Sequence, residues 1–137
     1  AMLDTGSLKD TLDGGALLIY GGAVPDSADD SIGAATLLST ITLNSAGAGI
    51  NFDTAAVGDV ISKAPAEVWS GVNSAAGVAT FYRHVADVSD VGASSTALPR
   101  LQGDIGIAGK EMNLSSVNLS SGATQTIDFY NVTIPTL

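Results

Sequence analysis

The stretch Gly77-Val-Ala-Thr-Phe-Tyr-Arg-His-Val85 decides the predicted fold of this chain. It is rich in β-branched and aromatic residues, which favour the pleated and half-buried surface of a strand. Alternation places the odd-numbered residues from Ala79 to Val85 on one face and the even-numbered residues from Val78 to His84 on the other. The stretch therefore predicts a β-strand in the middle of the chain.

Similar patterns recur on both sides of this stretch. Upstream, Ala16–Tyr20 reads as a short buried strand, and Thr36–Leu43 alternates an apolar with a hydroxyl face. Downstream, Arg100–Ile107 alternates cleanly, with Arg100, Gln102 and Asp104 on its polar side. Shorter strands are predicted at residues 60–62, 67–70 and 112–114. A closing strand over 123–134 changes parity after Phe129, which predicts a bulge.

Turn-forming Gly, Asp and Ser separate these pieces at the spacing typical of a sandwich. We therefore expect an all-β chain, a single-domain antiparallel β-sandwich that is jelly-roll-like, over residues 16–137. Residues 1–15 are expected to form an N-terminal arm or short helix. Ser7 and Asp10 have the spacing of a capping box, and Gly14 with Gly15 ends the helical pattern.

Composition excludes several functional classes. The 137 residues carry five Lys and Arg against fourteen Asp and Glu, a formal net charge of -9. Such a field repels nucleic-acid phosphates and anionic membrane surfaces. The absence of cysteine removes disulfides and thiolate chemistry. No apolar run is long enough to span a membrane. Ala1 is interpreted as a cloning remnant before a natural start at Met2, so no leader is expected.

Three motifs could be interpreted as catalytic, but a structural interpretation explains each of them better. Asp4-Thr5-Gly6 matches the aspartic-protease signature, but two carboxylates must be held in register, and only three residues precede Asp4. The loop from Gly103 to Glu111 has the wrong spacing for a phosphate loop, and its Glu111 would repel phosphate. His84, the single histidine, is interpreted as a surface or interface residue. We therefore predict no catalytic residue and no cofactor.

Aspartates gather in two segments of the chain. Three lie in one loop (Asp26, Asp29 and Asp30), and Asp87 and Asp90 lie in another. Carboxylate oxygens in loops can bind calcium, but the spacing matches no EF-hand. Turn formation and solubility explain these residues better, so no metal site is predicted.

Candidate interface residues come from two sources. Leu3, Leu8 and Leu12 could let the arm dock on a neighbour. Trp69 and Tyr82 have polar neighbours, and aromatic side chains are enriched at interfaces. A homo-oligomer, either a dimer or a trimer, is expected because closed symmetric assemblies are common.

Several segments taken in order resemble a family of small structural proteins from tailed phages and prophages. They are Gly14–Pro25 with Ala28-Asp29, Ala35–Leu38, Trp69–Gly71, Ala76–Arg83, Leu101–Gly103 and a closing strand that ends at Pro135. The resemblance covers the chain from about residue 3 to its end. It implies a virion component without catalytic residues, comparable to capsid decoration proteins with jelly-roll-like folds.

The sequence-based hypothesis is therefore a non-enzymatic virion protein assembled in the bacterial cytoplasm. It would bind the major capsid protein or another virion protein and stabilise the head shell as a decoration (cement) protein. A tail or baseplate component is the alternative within the structural class. A calcium- or carbohydrate-binding adhesion module is the alternative outside it, and it rests on fold analogy alone.

Overall fold

The structure is a computed structural model that describes residues 11–53, 60–109, 112–114, 116–127 and 130–133. The strands are β1 (Ala16–Gly21), β2 (Thr36–Leu43), β3 (Val60–Ser62), β4 (Trp69–Val72), β5 (Gly77–Val78), β6 (Phe81–Val85), β7 (Arg100–Gly106), β8 (Met112–Asn113), β9 (Asn118–Leu119), β10 (Thr124–Ile127) and β11 (Asn131–Thr133).

A seven-stranded sheet organises the chain, with the order β10-β4-β2-β1-β6-β7-β8. Every neighbouring pair in it is antiparallel except β7 with β8, which is parallel. Two further antiparallel pairs, β3 with β11 and β5 with β9, form separate small sheets. The predicted all-β, sandwich-like domain is thereby confirmed. The jelly-roll connectivity stays a prediction.

The central strand β1 is buried on both faces. Leu17 and Ile19 join the main apolar cluster, which also contains residues of the β3–β11 and β5–β9 pairs. Ala16, Leu18 and Tyr20 join a second cluster with Phe81 and Val85 of β6. A strand buried on both sides is nearly all apolar, and the sequence of β1 has that character.

Two long connections cover the second cluster, and together they are called the loop layer here (residues 22–35 and 86–99). Ile32 and Ala35 pack against the second cluster. The amide of Ile32 donates to the carbonyl of Gly92 at 2.9 Å, and the amide of Ser95 donates to the carbonyl of Asp29 at 2.8 Å. The seven-stranded sheet therefore lies between the small sheets on one face and the loop layer on the other.

Two predicted strands are divided in the structure. The predicted strand over residues 77–85 is two strands, because Val78 pairs with Asn118 of β9 whereas Phe81 pairs with Tyr20 of β1. The predicted closing strand over 123–134 is also two strands. β10 pairs with β4 in the large sheet, and β11 pairs with β3 in a small one. The parity change therefore marks a change of sheet rather than a bulge within one strand.

At the start of the described chain, Thr11 and Leu12 are helical and β1 begins at Ala16. Leu12 is 1% exposed and belongs to the main cluster. Residues 1–10 of the predicted arm, which include Leu3, Asp4 and Leu8, lie outside the described residues, so their form stays a prediction.

Candidate functional site

Strand β6 carries two buried ionisable side chains to opposite faces of the sheet. His84 enters the main cluster beside aromatic rings, and Arg83 enters the loop layer. The period of two along a strand requires this separation of neighbours. Both faces of β6 therefore carry a candidate group.

His84 lies among the aromatic side chains of three other segments. Its ring centroid is 5.3 Å from that of Phe52, 6.1 Å from that of Trp69 and 5.4 Å from that of Tyr130. Its Nδ1 lies 3.2 Å from the hydroxyl oxygen of Tyr130, at hydrogen-bonding distance. With 1% of its surface exposed, the imidazole cannot meet a substrate in the folded chain.

Burial controls the protonation of His84. Removal from water disfavours the imidazolium and lowers the pKa of His84 from 6.5 to about 4, against a smaller opposing effect of the Leu12 backbone. The ring is therefore neutral at pH 7. The expectation that His84 is a surface or interface residue is wrong, because three aromatic rings and the hydroxyl of Tyr130 enclose it.

Glu67 holds the edge of the aromatic cluster. Its carboxylate accepts hydrogen bonds from Trp69 Nε1 at 2.9 Å, and from the backbone and side-chain amides of Asn51 at 2.9 Å each. Burial alone would raise the pKa of Glu67, but these hydrogen bonds outweigh it and the pKa is lowered. Lys63 Nζ donates to the carbonyl of Glu67 and lies 5.9 Å from the ring centroid of Trp69. This arrangement fixes the rotamer of Trp69.

Arg83 fastens the first loop of the loop layer to the sheet. Its Nε donates to Gln102 Oε1 at 2.9 Å, and its Nη2 donates to the carbonyls of Asp30 at 2.7 Å and Ser27 at 3.3 Å. Gln102, opposite Arg83 on β7, also donates to the carbonyl of Pro25 at 2.8 Å. The planar guanidinium suits this role because its donors diverge in fixed directions.

Arg100 connects the second loop to the first. Its Nε and Nη2 donate to the two carboxylate oxygens of Asp90 at 2.6 and 2.7 Å, and both side chains are almost completely buried. Further donations reach the carbonyls of Ala28 at 3.0 Å and Ala93 at 2.7 Å. The hydrogen bond from Arg100 lowers the pKa of Asp90 against the effect of burial. This bidentate pair is a structural clamp on the loop layer.

The outer side of the loop layer is acidic and partly apolar. Asp26, Asp29, Asp30 and Asp87 are exposed there. Three exposed apolar side chains lie on the 86–99 loop, namely Val88, Val91 and Leu98. Val91 is 80% exposed, the highest value among the exposed large apolar residues of the described chain.

The structure corrects three of the candidate interface residues. Leu12, Trp69 and Tyr82 are 1%, 0% and 5% exposed, and all three pack in the main cluster. They contribute to folding, and the folded chain does not present them to a partner. The polar neighbours of Trp69 and Tyr82 misled the sequence reasoning, since these neighbours are buried with them. Leu3 and Leu8 lie outside the described residues.

Sequence reasoning did not assign roles to the buried Arg83, Arg100 and Asp90. The available signal was an arginine on the predicted sheet face of Phe81 and Val85, opposite loops rich in Asp. A buried arginine needs acceptors, so this pattern could have indicated that the loops fold back over that face. The acceptors are mostly backbone carbonyls, which no sequence pattern marks.

The two acidic segments are brought together, but the described residues hold no group of three or more metal-ligating side chains. Asp90 is already bound by Arg100. Within the same described part of the chain, no helix has the length and apolarity needed to cross a membrane. The chain matches no protein-family model, no curated protein and no solved structure.

Proposed function

We propose that this chain is a non-enzymatic virion structural protein of a tailed phage or prophage. In its most specific form, it is a capsid decoration protein that binds the outside of the head and stabilises the shell. Its partners are the major capsid protein or another virion protein, together with further copies of itself as a dimer or trimer.

The observation that supports a binding role most directly is that the buried ionisable side chains Arg83, Arg100, Asp90 and His84 have structural roles. Arg83, Arg100 and Asp90 hold two loops against the sheet, and His84 is enclosed by aromatic rings. These groups stabilise a rigid domain, so its interactions with other molecules take place on the outer surface. Several segments, taken in the order in which they occur in the sequence, resemble virion proteins. This resemblance supports the virion as the assembly to which the chain binds.

The mechanism is additional contact between shell subunits. A stiff domain loses little conformational freedom on docking, so most of its contact energy remains for binding. Repetition over a symmetric shell converts modest single contacts into high avidity. The bound layer then opposes the outward pressure of packaged DNA.

Cryo-electron microscopy of the parent virion tests the proposal. We expect density for this domain at regular positions on the head exterior. Particles from a strain that lacks the gene should release DNA at a lower temperature, measured with a fluorescent DNA dye. Density on the tail or baseplate would overturn the decoration role and retain the structural class. Absence from the virion would overturn both.

A further inference from the structure

We propose that the outer surface of the loop layer is the docking face, and that its occupant is a positively charged protein surface with an apolar centre. The inference rests on the proposed function and deepens it, because it names the face that meets the neighbouring shell subunit. It is drawn from the exposed side chains and charges of residues 22–35 and 86–99.

Both loops of this face expose apolar side chains. Val88, Val91 and Leu98 lie on one loop, and Val24 lies on the loop beside it, so these two connections carry four of the nine exposed large apolar residues of the described chain. The 86–99 loop is closed at its neck by the hydrogen bond from the amide of Ala86 to the carbonyl of Pro99 at 3.2 Å. Exposed apolar side chains beside polar ones occur at many interaction sites.

The charge of this face selects the partner. Four carboxylates point into solvent, from Asp26, Asp29, Asp30 and Asp87. The cations beneath them, Arg83 and Arg100, are bound to loop carbonyls, to Gln102 and to Asp90. The exposed charged side chains of this face are therefore all negative, and a complementary partner carries Lys or Arg.

The same cations preorganise the face. Arg83 and Arg100 reach four carbonyls of the loop layer, those of Ser27, Ala28, Asp30 and Ala93. Loops that are ordered before binding lose little entropy in the complex. The carbonyls of Asp29 and Asp30 accept the hydrogen bonds that hold this loop, from the amide of Ser95 and from Arg83 Nη2. Their carboxylates therefore remain available to a partner.

Among the described residues, a second copy of this chain offers no free basic side chain to the face. The described basic residues are Lys63, Arg83 and Arg100, and each is engaged within its own chain. If two copies docked through the same face, the carboxylates of one copy would also lie against those of the other and repel them. Nucleic acid and anionic lipid are disfavoured by the same charge. A basic patch on a neighbouring protein remains as the occupant.

The test uses parent phage particles that lack this gene product, to which purified protein is added before co-sedimentation. One variant removes the apolar centre (Val88→Ser with Val91→Ser), and another removes the charge (Asp26→Asn, Asp29→Asn and Asp30→Asn). Ile107→Ser is the matched control, because Ile107 is 70% exposed and follows β7 at the end opposite to the neck of the 86–99 loop. Near-ultraviolet circular dichroism verifies that each variant is folded.

We expect both loop variants to bind at least about tenfold more weakly and Ile107→Ser to bind like the wild type. Wild-type binding should also weaken when NaCl is raised from about 50 to about 300 mM, because salt screens the attraction between exposed charges. If the wild type binds and the folded loop variants bind equally well, this inference fails and the proposed function stands. If the wild type does not bind the particles, the proposed function fails together with the inference. Loss of self-association in the loop variants, with particle binding intact, would instead assign the face to a second copy and overturn the choice of occupant.

Discussion

Single polar residues inside the domain determine how it responds to pH and substitution. The buried polar and charged residues of the described chain are Ser39, Thr42, Ser70, Asn73, Arg83, His84 and Asp90. A buried polar group is tolerated when it has a hydrogen-bonding partner. The sign of the change in the free energy of unfolding on its removal or protonation can then be predicted. His84 and Asp90 differ in this respect, because one is kept neutral and the other is kept charged.

His84 should make the protein sensitive to mild acid. Its pKa is about 4 in the folded chain, against 6.5 for an unperturbed histidine, so the unfolded chain binds a proton first as the pH falls. The stability present above pH 6.5 is lost as the pH falls to about 4, by about 3 kcal/mol. His84→Phe should lose less stability over this window than the wild type. Urea unfolding at pH 7, 5.5 and 4 measures this, and equal losses in both proteins would contradict it.

The Asp90–Arg100 pair should be costly to break. Asp90→Asn leaves the buried guanidinium of Arg100 without its carboxylate, and we expect a loss of about 3 kcal/mol or more. The lowered pKa of Asp90 implies that the same stabilisation disappears only in stronger acid, as the pH falls below 3.8.

Asp29→Asn is the control for Asp90→Asn, because it changes the same chemical group at an exposed position of the neighbouring loop. It should alter stability by no more than about 0.5 kcal/mol. The free energy of unfolding in urea, followed by Trp69 fluorescence, compares the two variants. Similar values would show that the clamp does not hold the loop layer.

At the scale of elements, the close approach of two strands limits the size of the side chain that the sheet can accommodate between them. β2 and β4 meet through two register pairs, Thr42 with Ser70 and Leu43 with Trp69. Beside them, a Cβ atom placed on Gly71 would lie 2.1 Å from the carbonyl oxygen of Thr40. Only a residue without a side chain fits there unless the two strands separate.

Gly71→Ala should therefore separate β4 from β2. Backbone must move to relieve the contact, and we expect a loss of about 1–3 kcal/mol or more. Val72→Ala on the same strand is the control, because Val72 is exposed and its substitution should cost about 0.5 kcal/mol. Thermal unfolding by circular dichroism measures both. A Gly71→Ala protein as stable as the control would contradict the predicted contact.

At the scale of the whole molecule, one strand links two apolar clusters. β1 supplies Leu17 to the main cluster and Leu18 to the second. Neither cluster is complete without β1, so the small sheets, the large sheet and the loop layer should unfold together. The domain is then expected to behave as a single two-state unit.

Leu17→Ala and Leu18→Ala test this linkage from opposite faces. Each removes a buried leucine and should cost about 2–5 kcal/mol. Because β1 serves both clusters, Trp69 fluorescence and far-ultraviolet circular dichroism should report one coincident transition in each variant. Leu98→Ala, on the exposed loop, should remain close to the wild type. Two separate transitions in Leu18→Ala would show that the loop layer unfolds independently.

The sequence by itself determined the fold class and the bounds of five strands. β2 and β3 were predicted with their observed bounds, and β1, β7 and β8 were predicted to within one residue at their ends. Alternating apolar and polar residues specify strands locally, because successive side chains of a strand face opposite sides. The same local rule predicted the polar side of β7 that carries Arg100 and Gln102, which bind the loops.

Only the tertiary structure decided which faces are buried and which strands are divided. His84, Trp69 and Tyr82 have polar neighbours in sequence, yet all three are interior, because they pack on the face of the large sheet that the small sheets cover. The placement of residues 22–35 over the second cluster depends on backbone carbonyls that accept from Arg83 and Arg100. Every residue type carries the same carbonyl group, so such long-range bonds leave no trace in the pattern of side chains along the chain.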